Sequence, residues 1–155
     1  MKYLKLFENH KYYDYVSDLI ITDDYENLQS LIDEYGIEHD YYGETILETA
    51  IKKHSKLKMF KFLIVKNGAD LSDKGYFEGN TPLLEYCSRY DPDFSNYIDV
   101  LRLMIDNGAD MLYENNNGDS FFDLIHKSYK RAVIYLFKEY YSEIYNEYLK
   151  RKVKK

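Results

Sequence analysis

Apolar residues along this chain arrive in bursts at helical spacing, and each burst is closed by a glycine. Leu57, Met59, Phe60, Phe62, Leu63 and Ile64 lead into Asn67-Gly68-Ala69-Asp70-Leu71. Ile98, Val100, Leu101, Leu103, Met104 and Ile105 lead into Asn107-Gly108-Ala109-Asp110-Met111. A degraded copy comes first, with Leu28, Leu31 and Ile32 ahead of Glu34-Tyr35-Gly36-Ile37-Glu38. Residues three and four apart share one helix face, so each burst predicts a helix with one buried side. The glycine after it takes the left-handed C-cap conformation at little cost, and the chain turns away.

A second motif opens each following unit. Gly43-Glu44-Thr45-Ile46-Leu47 aligns with Gly79-Asn80-Thr81-Pro82-Leu83 and with Gly118-Asp119-Ser120-Phe121-Phe122. Thr or Ser ahead of an apolar run is an N-cap, and Pro82 falls at the first helical position, where its missing N–H costs nothing. Each unit therefore reads as a glycine turn, a capped short helix, a break and a second helix. Gly-Ala-Asp and an extended excursion then lead to the next glycine. Residues 1–21 predict a first helix, and Asp23-Asp24 opens a second over Tyr25–Tyr35 with acidic residues at its positive end. At the other end Val133, Phe137, Ile144 and Tyr148 keep helical spacing, as do Leu136, Tyr140 and Tyr141. They predict one long final helix from Lys130 to Lys152, which either lies over the last unit or projects to meet a partner.

At this point the chain resembles the ankyrin-repeat family, whose units open with Gly-x-Thr-Pro-Leu and close with Leu-Leu-x-x-Gly-Ala-Asp. The resemblance is carried by Gly79-Asn80-Thr81-Pro82-Leu83-Leu84 and by Leu103-Met104-Ile105-Asp106-Asn107-Gly108-Ala109-Asp110. Gly43-Glu44-Thr45-Ile46-Leu47, Ala50 and Asn67-Gly68-Ala69-Asp70 support it. It implies an all-α solenoid of stacked helix pairs with finger-like β-turn loops, forming a single domain over 1–155. The parts would be an N-terminal capping unit over 1–40, repeats over 41–76 and 77–115, and a C-terminal capping unit with an extended helix over 116–155. Glu48, Leu84 and Asp123 stand where the family has His, so the tie that residue makes is absent or replaced. The small Ala that lets two helices approach is kept as Ala50, but Tyr86 and Ile125 replace it elsewhere, predicting splayed or shifted units. Lys74 to Glu78 lengthens one finger, and Tyr90 to Asn96, with Pro92 and Asp93, lengthens the turn between two helices.

Charge and composition narrow the function. Lys and Arg number 21 against 27 Asp and Glu, a net charge of −6, which argues against general nucleic-acid binding. The basic end Lys150-Arg151-Lys152-Val153-Lys154-Lys155 reads as a solvated helix end that complements its own dipole. No uninterrupted apolar h-region opens the chain, and Phe62-Leu63-Ile64-Val65 is the longest wholly apolar run. A soluble, cytoplasmic protein without a membrane span is the expectation. The single Cys87 cannot form an internal disulfide, which suits a reducing compartment. His10, His39, His54 and His126 are isolated from one another and from Cys87, so no zinc or nucleophile–base constellation forms locally. His54 and His126 read as solvated or turn-capping, Cys87 as a small buried apolar residue. Asn115-Asn116-Asn117-Gly118-Asp119 lacks the carboxylates of a calcium loop and reads as a turn. No enzyme, cofactor or metal is expected; a hydrolase with a dispersed site is the remote alternative.

The 19 tyrosines divide between helices and fingers. Tyr12, Tyr13, Tyr25, Tyr35, Tyr97, Tyr129 and Tyr135 lie in predicted helices and read as core or groove fillers. In the family, finger tips and the inner faces of first helices form a concave surface that holds protein partners. The matching positions here are Tyr41, Tyr42 and Glu44; Tyr76, Phe77, Glu78 and Asn80; and Tyr113, Asn116, Asn117 and Asp119. Lys52, Lys53, Ser88, Arg89, Lys127 and Ser128 are the first-helix positions. Aromatic tips supply stiff contact area, and Asp40, Glu44, Asp73 and Glu78 give the same edge a negative field that steers a basic partner. The expectation is a non-catalytic protein-binding module, a monomer on its own. Alternatives are an immunity protein or inhibitor occluding a basic toxin or enzyme, and a pathogen or viral effector binding a host protein.

Overall fold

The helix starts are set by the leader motifs. In the computed structural model, which describes residues 13–40, 43–75, 78–89 and 94–153, α1 occupies 13–21 and α2 Tyr25–Tyr35. The next pair is α3, Ile46–Lys52, and α4, which starts at Leu57–Phe60 and continues in π-helical winding over Lys61–Lys66. The third pair is α5, Pro82–Ser88, and α6, Phe94–Asp106; then come α7, Phe121–Leu124, α8, Lys130–Tyr140, and α9, Ser142–Val153. Thr45 closes a capping box: its Oγ1 accepts from Glu48 N at 3.2 Å, and Glu48 Oε2 accepts from Thr45 N at 2.8 Å. Thr81 Oγ1 accepts from Leu84 N at 3.4 Å with Pro82 opening the helix. At the third leader Asp123 Oδ2 accepts from both Ser120 N, 3.0 Å, and Ser120 Oγ, 2.8 Å.

The helix ends follow the glycines. Gly68, at φ 69°, lets Ala69 N reach back to Leu63 O at 3.1 Å, and Gly108, at φ 98°, lets Ala109 N reach Met104 O at 3.0 Å. Those bonds satisfy carbonyls that the helix end leaves open and turn the chain toward the next finger.

The helices stack in two rows. α3 packs on α5 and α5 on α7, forming the inner row, while α4 packs on α6 in the outer row. α2 joins the outer row through Tyr25 and Phe62, edge-on at 5.1 Å, and through Gln29 Nε2 donating to Asn67 Oδ1 at 3.0 Å. α8 extends it: Tyr129 at its cap lies 5.2 Å from Tyr97, and Tyr141 donates to Asp106 of α6. Between the rows runs one core, from Val16 and Leu28 through Leu47, Phe60, Leu83 and Tyr97 to Phe121 and Phe137. Tyr86 takes the place of the small residue without opening the seam: it is 4% exposed, edge-on to Phe60 at 5.5 Å and stacked on Tyr97 at 5.4 Å. Ile125 is also buried, but its extended ψ of 127° ends α7 before it.

Three sequence expectations need correction. The long final helix is two helices, broken at Tyr141, whose backbone leaves the helical region at φ −132°, ψ 40°. The break lets α9 fold back on α7, with Tyr148 and Tyr145 4.7 and 5.4 Å from Phe122 and Lys152 Nζ 2.8 Å from Asp123 Oδ1. Tyr135 is 66% exposed, because it points away from the face that Val133 and Phe137 bury. Tyr35 is 39% exposed at the end of α2. Tyr97 is fully buried, and Tyr13, Tyr25 and Tyr129 are half-buried. Tyr12, Pro92 and Asp93 lie outside the described residues.

Candidate partner-binding surface

Neighbouring fingers are tied by hydrogen bonds rather than by apolar packing alone. Asn115 Oδ1 accepts from Asn117 N at 3.0 Å and Asp119 N at 2.9 Å, building the turn. Its Nδ2 donates to Asn80 Oδ1 at 2.9 Å, and Asn80 Nδ2 donates to Glu85 Oε2 at 3.1 Å. Glu85 Oε1 in turn accepts from Arg89 Nη2 at 2.6 Å. Burial works to raise the Glu85 carboxyl, but the bonds from Arg89 and Asn80 outweigh it and hold it below its usual value. Tyr113 Oη donates to Gly79 O at 2.9 Å and Asn116 N to Glu78 O at 2.8 Å. Gly79, at φ 66°, sits so close that a Cβ there would lie 2.8 Å from Asn116 Oδ1.

Two expected contact residues take part in this network. Asn80 is 6% exposed, with both polar atoms of its side chain used inside the finger stack. Tyr113 is half-buried with its hydroxyl spent on Gly79. Both read as tips from their place beside a leader glycine; their burial comes from the next finger, distant in sequence.

At the first finger the structure gathers carboxylates around a cleft of about 240 Å³ lined by Glu38, Asp40, Gly43, Glu44, Thr45, Glu48, Asp73 and Lys74. Hydrogen bonds place three of these acids. Glu38 Oε1 accepts from Asp70 N at 2.6 Å, Asp40 accepts from Gly43 N, and Glu48 is the capping-box acid of α3. Glu44 pairs with Lys52 of α3, while its Oε2 is buried without a hydrogen-bond partner. Burial pushes the Glu38 carboxyl up, only partly opposed by the Asp70 N–H, and the charges of Asp70 and Asp73 add to the rise. Glu48 is raised the same way, by burial and then by Asp73 and Glu44 against Thr45 N–H and Lys52. Negative charge is therefore crowded at this edge, and a cation entering the cleft would relieve it. Among the described residues no His, Cys, Asp and Glu group has an arrangement that would hold a metal ion.

The remaining expected positions divide. Lys53, Glu78, Ser88, Asn116, Asn117, Lys127 and Ser128 are exposed, and Asp119 is half-buried. Lys52 and Arg89 are committed to Glu44 and Glu85. Tyr41, Tyr42, Tyr76 and Phe77 lie outside the described residues. Glu38 and Glu48 were not expected at the edge; the capping spacing of Glu48 from Thr45 was the legible signal for the second. His54 is exposed in the turn after α3, and His126 Nδ1 accepts from Ser128 N at 3.3 Å. Cys87 is fully buried, and burial pushes its thiol well up, the opposite of an activated nucleophile.

Stacked helix pairs with finger loops along one edge define a helical-repeat solenoid. The family model described as Ankyrin repeat matches residues 78–116, the unit that holds Asn80, Tyr97 and Tyr113. Among solved structures the chain is similar to the ankyrin repeat domain of Bcl-3, described as a unique member of the IkappaB protein family. Identity is 20% and the TM-score 0.58, over 73% of this chain and 47% of that one. The chain thus spans about half the length of that structure. No curated protein matches the sequence. The fold is that of the ankyrin-repeat solenoid, and ankyrin repeats are protein-interaction units.

Proposed function

We propose that this protein is a non-catalytic binding module that holds a basic protein partner along its finger edge. The observation that carries the reading is the first-finger cleft, where Glu38, Asp40, Glu44, Glu48 and Asp73 face a single lining cation, Lys74. A Lys or Arg side chain entering it would meet carboxylates already positioned, with little ordering cost. Glu78, Asn116 and Asn117 extend the exposed edge along the next two fingers. Tyr41, Tyr42 and Phe77 belong to the same finger segments and would supply the apolar contact area. A cytoplasmic monomer is the working form. Acidic occlusion of a basic toxin or enzyme is the particular version that the cleft favours, since coverage of a cationic active site needs only a rigid negative edge.

The test is affinity purification from the native cell with the wild-type chain and with Tyr41→Ala/Tyr42→Ala/Phe77→Ala. A basic protein retained by the first and lost by the second, at unchanged circular dichroism, supports the reading. Equal retention by both refutes the edge as the binding surface, and unfolding of the variant makes those rings structural instead.

A further inference from the structure

The outer face of the second helix pair carries the opposite charge from the finger edge. From Leu57 to Gly68 the chain has Lys58, Lys61 and Lys66 and no Asp or Glu, within a protein of net charge −6. Lys58, Lys61, Val65 and Lys66 are all exposed on the outer-row helix α4, Val65 by 60%. Met59, Phe60, Leu63 and Ile64 on the other side are buried in the core, so this orientation is fixed. Lys58 Nζ lies 4.6 Å above the Tyr25 ring and Lys66 Nζ 5.0 Å above Phe62. None of Lys58, Lys61 and Lys66 pairs with a carboxylate among the described residues. The result is an unpaired basic helix face with an apolar strip, Phe62 and Val65, between its lysines.

We propose that this face is a second docking surface, and that its occupant is an acidic peptide segment of a partner protein bearing one apolar residue. Charge complementarity sets the acidic character, and exposed Val65 beside the lysine stems sets the apolar residue. The neighbouring helix decides between anionic partners. α2, which meets α4 through Tyr25 and Phe62, exposes Glu26, Asp33 and Glu34, and α6, packed on α4, exposes Asp99 and Asp106, so both helices beside the positive strip carry exposed acids. A lipid surface or duplex nucleic acid presents anions continuously and would also press against those carboxylates; a single peptide segment would not. The surface lies in the outer row, separate from the finger-edge cleft, so it stands or falls independently of the function proposed above. With both faces occupied the solenoid bridges a basic and an acidic partner.

The probe is a synthetic peptide of Glu and Asp residues around a single Leu, titrated into the full chain by fluorescence anisotropy. A Leu→Ser version of the peptide, phosphatidylserine-containing vesicles and duplex DNA are run beside it. The expected result is saturable peptide binding that Lys58→Gln/Lys61→Gln/Lys66→Gln weakens by about tenfold. Val65→Ser and the Ser peptide should each weaken it by about threefold, and by no more in combination, because they remove the same contact. Glu44→Gln/Asp73→Asn at the finger edge should leave it unchanged. Equal affinity for the wild type and the triple Gln chain overturns the proposal, as does indifference to the Leu. Lysine-dependent binding of vesicles or DNA without binding of the peptide also overturns it, in favour of a lipid or nucleic-acid surface. Lys58, Lys61, Val65 and Lys66 are exposed on the outer face and Glu44 and Asp73 lie at the finger edge, and an unchanged melting curve verifies that each variant is folded.

Discussion

Replacing Asn115 by Ala asks whether the fingers are held by the polar network described above or merely lie beside one another. The side chain is 6% exposed and makes three bonds: it accepts from Asn117 N and Asp119 N, and donates to Asn80 Oδ1. Truncation leaves Asn80 Oδ1 buried without that donor, which costs about 1–2 kcal/mol. The two backbone N–H groups lie in a partly exposed turn where water can replace part of what is lost, adding about 1 kcal/mol together. The sum is about 2–3 kcal/mol, and in a chain of 155 residues that lowers Tm by about 4–12 °C. Thermal unfolding followed by circular dichroism reads it directly. Asn80→Ala should cost less on the Asn115→Ala background than alone, by about 1 kcal/mol, because the two share one bond. A melting point within about 2 °C of wild type, or strict additivity of the pair, would refute the staple.

Three further outcomes follow from the same geometry. Burial tends to raise the Asp123 carboxyl, but bonds from Lys152 and Ser120 hold it below its usual value. Its contribution is therefore whole above the unfolded value of about 3.9 and is lost as pH falls through the folded one. Asp123→Asn should lower stability at neutral pH by about 1 kcal/mol, and the gap from wild type should close in acid titrations below about pH 4. Cys87, buried with its thiol pushed up, should resist thiol reagents in native buffer and react only at the rate of unfolding, as mass spectrometry of alkylated protein would record. Glu38 and Glu48 are raised by burial and by neighbouring carboxylates, so a cationic partner should lower both and release protons on binding in mildly acidic buffer. Calorimetry in buffers of different ionisation enthalpy measures that release, and none would mean that no cation enters the cleft.

The repeat architecture was legible because its signals are local. Asp24 caps Tyr25–Tyr35 as the acidic pair implied, Thr45 and Thr81 cap their helices, and Gly68 and Gly108 close theirs. What escaped was set by residues far apart in sequence. No Gly or Pro marks the break at Tyr141; it is imposed by Phe122 and Asp123, which draw Tyr148 and Lys152 back over α7. Asn80 looked like a loop tip because nothing near it announces Asn115. Tyr135 is different: its register opposite Val133 and Phe137 did announce an exposed ring, and tyrosine abundance alone suggested otherwise. The acidic edge was half legible, since Asp40, Glu44 and Asp73 sit beside the fingers, whereas Glu38 joins them only because its carboxylate caps Asp70 N across two units.

Binding of a basic partner along the acidic finger edge is the function proposed above. It is tested most directly by isothermal titration of the captured partner into the wild-type chain and into Glu44→Gln/Asp73→Asn. The expected result is a loss of on the order of tenfold in affinity, largest at low salt, with the melting temperature of the variant unchanged. Equal affinities at low salt would contradict it.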